Sequence, residues 1–121
     1  MMKDILYVGL GGGLGSVLRF LVGVWLPTSG KGFPTTTFLI NIIGSWLIRL
    51  LMGYFQKNGQ PAAMSLLLTT GFCGGFTTFS TFSKESFTLF QQQQWLILLS
   101  YVGLSVVGCI AATAFGFSLQ R

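Results

Sequence analysis

The sequence predicts an all-α integral membrane protein of four transmembrane helices, the third broken near the bilayer midplane. Three observations lead there. Hydrophobic residues make up 51% of the chain and charged residues only 7%, against roughly 25% charged in a soluble domain. So little charge cannot cover a water-facing surface, and lipid must cover much of it. The apolar residues fall into stretches near the roughly 20 residues that a bilayer span needs. The 121 residues therefore hold four spans with short joints as one transmembrane domain, residues 1–121, with no room for a separate soluble unit. Finally, one apolar stretch is interrupted at mid-length by glycines and hydroxyl residues.

The first span runs from about residue 5 to 26. Lys3 before an apolar run has the look of a signal peptide, but no small-residue cleavage site follows, so the segment reads as a retained span. Gly9/Gly13 and Gly11/Gly15 both have the spacing that lets helices approach closely in lipid. A phosphate loop would need a preceding strand, and none is visible. Pro27, Gly30, Gly32 and Pro34 make the first connection. The second span covers about 36–55 and is followed by a polar loop with Lys57, Asn58, Gly59 and Pro61. The third covers about 62–92 with its break near 73–79. The fourth covers about 95–117, after the polar turn Gln91–Gln94.

The formal net charge of +5 comes from scattered bases, mostly near span ends, where Lys and Arg meet the membrane surface. Without a basic cluster or an aromatic platform, the distribution excludes nucleic acid as a partner. Cys73 and Cys109 lie inside apolar spans of a chain with no histidine, and read as free packing thiols.

The function is carried by residues 71–83, GFCGGFTTFSTFS. Irregular backbone at membrane depth is tolerated only where it is buried in protein or lines a cavity. The exposed half-helix ends offer N–H groups to anions and carbonyls to cations. An ion site near the midplane is therefore expected, and buried Ser and Thr residues there need polar partners. Phe79 and Phe82 are three apart and share a helix face. A phenyl ring has a positive edge, so two rings edge-on to a pore would stabilise a small anion; plain packing is the other reading. On the fourth span, Tyr101, Ser105, Cys109 and Thr113 recur every four residues as a polar stripe. Asn41 is the lone amide in the second span, suited either to a bond across helices or to donation to an anion. The only acids are Asp4 and Glu85. With no histidine relay, metal cluster or nucleophile–base pair, the chain reads as a passive conductor rather than a pump or an enzyme.

The run TTGFCGGFTTFSTFS, residues 69–83, resembles the signature of the Fluc (CrcB) family of fluoride channels. GGGLGSVLRF in the first span, NIIGS in the second and the pattern around Tyr101 and Ser105 fit in the same order. The resemblance covers essentially the whole chain. It implies an antiparallel, dual-topology homodimer in the bacterial inner (cytoplasmic) membrane, exporting toxic cytoplasmic fluoride through two pores. It implies a central structural sodium ion (Na+), held by backbone carbonyls that match Gly74 and Thr77. The fluoride path it implies matches Asn41, Phe79, Phe82, Ser105 and Thr113, with Ser80, Thr81 and Ser83 nearby and Tyr101 lining the pore. Arg19 matches an arginine toward the aqueous vestibule. Dual topology requires a weak charge bias. Lys3, Lys57 and Arg121 fall on one predicted side, Lys31 and Lys84 on the other, a small imbalance.

Arg49 and Trp46 depart from the pattern: small or apolar residues are expected there. Arg49 is about six residues from the expected end of its span, roughly 9 Å along a helix. It can snorkel to the surface or face the vestibule and attract anions. Two other classes share the chain's size. A small dual-topology multidrug exporter needs an embedded glutamate in its first span, where this chain has only Arg19. A structural tetraspan subunit would lose assembly, not flux, when Phe79 or Phe82 is truncated.

Overall fold

In the computed structural model, residues 1–26, 32–59 and 61–119 are described; Pro27, Gly30, Lys31 and Arg121, assigned above to a loop or to the charge balance, lie outside them. Helix α1 spans Met2–Trp25 and α2 spans Thr35–Asn58. The third stretch opens as α3 (Ala62–Ser65), continues as a π-helical segment (Leu66–Cys73) and returns to α-helix in α4 (Gly74–Phe76). Helix α5 spans Phe79–Gln91 and α6 spans Trp95–Leu119. Among the described residues, four helical stretches are long and apolar enough to cross a membrane, with mean hydropathies of 1.7, 1.6, 1.3 and 2.1 in chain order. Few of the residues in these stretches are buried within the chain, so most of the apolar surface faces outward, as lipid requires.

Two pairings organise the bundle: α1 packs along the π-helical segment and α4, while α2 packs along α6, which also carries α5. The first pairing depends on missing side chains. A Cβ at Gly11 would fall on the Leu67 carbonyl oxygen, one at Gly15 on that of Phe72, and one at Gly75 on that of Gly12. Gly9 and Gly13 would meet nothing within 4 Å. Of the two close-approach pairs in the first span, only Gly11/Gly15 is used within the chain.

Two boundaries differ from the sequence expectation. Helix α2 continues through Lys57 and Asn58, assigned above to a loop, because the stop is Gly59. That residue adopts the left-handed conformation (φ 61°, ψ 38°) and donates to the Phe55 carbonyl. The third stretch stays helical through Gly71, Gly74 and Gly75, and only Thr77 and Thr78 are extended (ψ 158° and 122°). Gly71 and Gly75 press against α1 instead of interrupting the helix. The π turns re-aim the chain without opening it.

Candidate functional site

The two extended threonines organise the site. Asn41, nearly two turns into α2, grips the Thr78 peptide from both sides: Nδ2 donates to the Thr78 carbonyl at 3.1 Å and Oδ1 accepts from the Thr78 N–H at 2.9 Å. An extended residue leaves both groups unpaired, and a primary amide matches them as a neighbouring strand would. The two sequence readings of Asn41 are thus compatible, since its second Nδ2 hydrogen stays available. Thr78 also caps α5. Its Oγ1 accepts from the Thr81 N–H at 3.2 Å, donates to Thr81 Oγ1 at 3.2 Å, and lies 3.3 Å from Ser80 Oγ. Sequence reasoning missed Thr78 as a site residue; a Thr directly before a helical FSTF run is the N-cap signal that marks it. Thr78→Val should cost about 1 kcal/mol of stability, the usual value of such a cap, read as an earlier thermal unfolding midpoint in detergent.

These bonds also release carbonyls at the end of α4. In a continuous helix the Thr78 amide would close on the Gly74 carbonyl and the Thr81 amide on that of Thr77; both amides go to side chains instead. The Gly75 carbonyl accepts from Arg19 Nε at 3.1 Å, so Arg19, matched above to a vestibule arginine, here holds α1 against the end of α4. Gly74 is exposed on the surface of the single chain. Its carbonyl and that of Thr77 are oxygen ligands of the kind hard cations take, which fits them to a sodium ion.

Beside the break lies a groove of about 420 Å³. Asn41, Gly44 and Ser45 of α2, Gly74, Thr77 and Thr78 at the break, Phe79 and Phe82 of α5, and Ser105 and Cys109 of α6 line it. The structure thus brings together four of the path residues read from sequence, Asn41, Phe79, Phe82 and Ser105, and both carbonyl positions. A second lobe of about 490 Å³ shares Ser45 and Cys109 with the first and adds Arg49, Thr113 and Phe117. Ser105 is only 6% exposed, and its Oγ has no hydrogen-bond partner. A buried hydroxyl facing a groove without a partner is expensive unless water or an ion meets it. The rings of Phe79 and Phe82 stand 5.6 Å apart between centroids with their planes at 37°, and Phe79 is 78% exposed.

Four expected path residues are placed differently. Ser80 and Thr81 join the cap of α5, Ser83 is exposed, and none of the three lines the groove. Tyr101 is fully buried behind Phe82, with ring centroids 5.0 Å apart, and donates its hydroxyl to Glu85 Oε1 at 3.0 Å. It supports the wall without facing the groove. Glu85 is the second residue that sequence reasoning passed over; a lone acid inside a span was the available signal. Thr113 Oγ1 lies 3.0 Å from the Cys109 carbonyl and 3.4 Å from that of Ser45, so its proton is directed at the backbone. Arg49 lines the second lobe. Its guanidinium lies over the ring of Phe117, 4.6 Å from the centroid, and its stem lies against Gly116, where a Cβ would come within 3.1 Å of Arg49 Cβ. Nε1 of the neighbouring Trp46 is buried without a partner.

Residues 6–117 match the family described as CrcB-like protein, Camphor Resistance (CrcB). The chain belongs to the CrcB-like family. A protein of Flavobacterium psychrophilum named fluoride-specific ion channel FluC is 44% identical over 99% of this chain and 98% of its own length. The proteins of that name from Chlorobaculum tepidum and Rhizobium meliloti are 44% and 43% identical, again over nearly the full length of both chains. Within the CrcB-like family this chain is a multi-pass membrane protein, and its relatives carry the name of a channel, not of an enzyme.

Proposed function

We propose that this chain is one subunit of a passive fluoride channel of the bacterial inner membrane, working as an antiparallel, dual-topology homodimer with two pores. The observation that carries this reading is the unpartnered Ser105 hydroxyl in a groove also lined by Asn41, Phe79 and Phe82. Fluoride is small and strongly hydrated, and accepts hydrogen bonds. A path for it must replace water with donors while excluding larger anions. Ser105 O–H, the second Nδ2–H of Asn41 and the positive edges of two phenyl rings are such groups. With no acid among the groove's lining residues, nothing there binds a coupling proton, so flow follows the gradient.

Dimerisation follows from the groove's open side. A second copy closing the wall would cover the exposed Phe79 and meet the freed Gly74 and Thr77 carbonyls, which supports this reading. The break then sits at the bilayer midplane, where the break of an inverted copy can meet it. There the carbonyls of Gly74 and Thr77 would hold a structural sodium ion. When bound, that ion supplies positive charge between otherwise unpaired carbonyl dipoles.

The test is efflux from liposomes loaded with fluoride or chloride. The purified protein should release fluoride rapidly and retain chloride. Phe82→Ala should leave the dimer assembled, judged by size exclusion, while fluoride efflux falls by about tenfold or more, since one of the polarised ring edges is gone. A well-folded dimer that passes no fluoride overturns the proposal. Loss of assembly in Phe82→Ala would favour a structural tetraspan subunit.

A further inference from the structure

Fluoride must enter and leave the groove at its ends, and the two lobes differ in what they offer an anion. The first has the Ser105 hydroxyl and the Asn41 amide. The second has Thr113, whose hydroxyl is directed at the backbone carbonyls of Cys109 and Ser45, and Arg49 is the one positive charge among its lining residues. Asn41, Ser45 and Arg49 follow at intervals of four along α2, which puts them on one helix face over two turns, about 12 Å. Ser45 lines both lobes, so the face that clamps the break at Asn41 reaches Arg49 along a continuous wall.

The described surroundings hold the guanidinium in place and offer its charge no carboxylate. Gly116 gives the stem room, and the guanidinium carbon sits over the Phe117 ring, 4.6 Å from its centre. A phenyl ring offers the cation its negative face but no lone pair, so the N–H donors of the guanidinium remain suited to an anion. Among the described residues no carboxylate pairs with it: Glu85 is bonded to Tyr101, and Asp4 lies beside the amino terminus. A cation inside a span is costly unless something of opposite sign meets it, and the open lobe beside Arg49 is where a mobile anion would do so.

We propose that Arg49 is the anion-loading residue of this channel: a guanidinium steadied on Phe117 that gathers fluoride at the far end of the groove and feeds it toward Ser105. The proposal rests on the fluoride-channel reading above. Loading raises the local anion concentration, so its effect is largest when fluoride is scarce and vanishes when the path is saturated.

The experiment is a series of fluoride effluxes at rising internal fluoride for the wild type, R49K and R49Q, with size exclusion as the check on assembly. R49Q should lose about fivefold in flux at low fluoride, the loss closing at high fluoride, with R49K between the two. The wild type supplies a second measure that needs no variant. Its low-fluoride flux should fall as an impermeant salt is raised, because screening weakens a fixed charge. R49Q that matches the wild type at low fluoride, or is reduced by the same factor at every concentration, overturns the assignment. So does a wild-type flux indifferent to ionic strength. A wild type that passes no fluoride at all overturns the channel reading instead, so the two failures are distinguishable.

Discussion

Asn41→Leu should abolish fluoride efflux and also lower stability, making Asn41 the polar residue whose loss costs most. Leucine keeps the volume and removes both bonds to Thr78. The Thr78 N–H and carbonyl then stay unpaired at membrane depth, where water does not replace the partner. Two orphaned backbone groups cost about 2–4 kcal/mol, and the groove loses one of its few donors. Thermal unfolding in detergent and liposome efflux read the two effects separately. Asn41→Asp divides them further. It keeps an acceptor for the Thr78 amide but places a negative charge on the path, so flux should fall much further than stability. An Asn41→Leu protein with wild-type flux would remove Asn41 from the path.

Gly15→Ala should be among the most damaging single-methyl changes in the described chain, and Gly13→Ala, two residues away, should be harmless. At Gly15 the new Cβ lands on the Phe72 carbonyl oxygen and 2.8 Å from the Phe76 nitrogen. Both are backbone atoms, so no side chain can turn aside. Overpacking of this kind costs about 1–3 kcal/mol or more, and here it pushes α1 away from α4, taking the Arg19 bond to the Gly75 carbonyl with it. At Gly13 the Cβ meets nothing within 4 Å, and alanine adds up to about 1 kcal/mol of helix preference. Unfolding midpoints of the two variants decide the matter. Equal loss at both positions would mean that the packing of α1 is not the one described.

The sequence by itself determined the class of protein, the number of spans and the place where an ion path had to be sought. Those conclusions depend on quantities that add along the chain: apolar residues per span, scarcity of charge, and the crowding of glycine and hydroxyl groups in residues 71–83. Phe79, Phe82, Asn41, Ser105 and Thr113 came together as a set only through the family resemblance; local setting alone left Asn41 and the phenylalanine pair with two readings each. Only the tertiary structure decided which glycines pack and which groups keep a free donor. Gly11 and Gly13 are indistinguishable in sequence, yet one meets a carbonyl and the other open space. Thr113 and Ser105 carry the same functional group, but Thr113 directs its proton at the backbone while the Ser105 hydroxyl is left unpartnered in the groove. Thr78 and Glu85 acquire their roles from partners far along the chain, Asn41 and Tyr101. Arg49, too, meets Phe117 only through the packing of α2 on α6. Hydrogen bonding and close packing are pairwise and directional, so they follow from where the helices cross, which one-dimensional spacing does not specify.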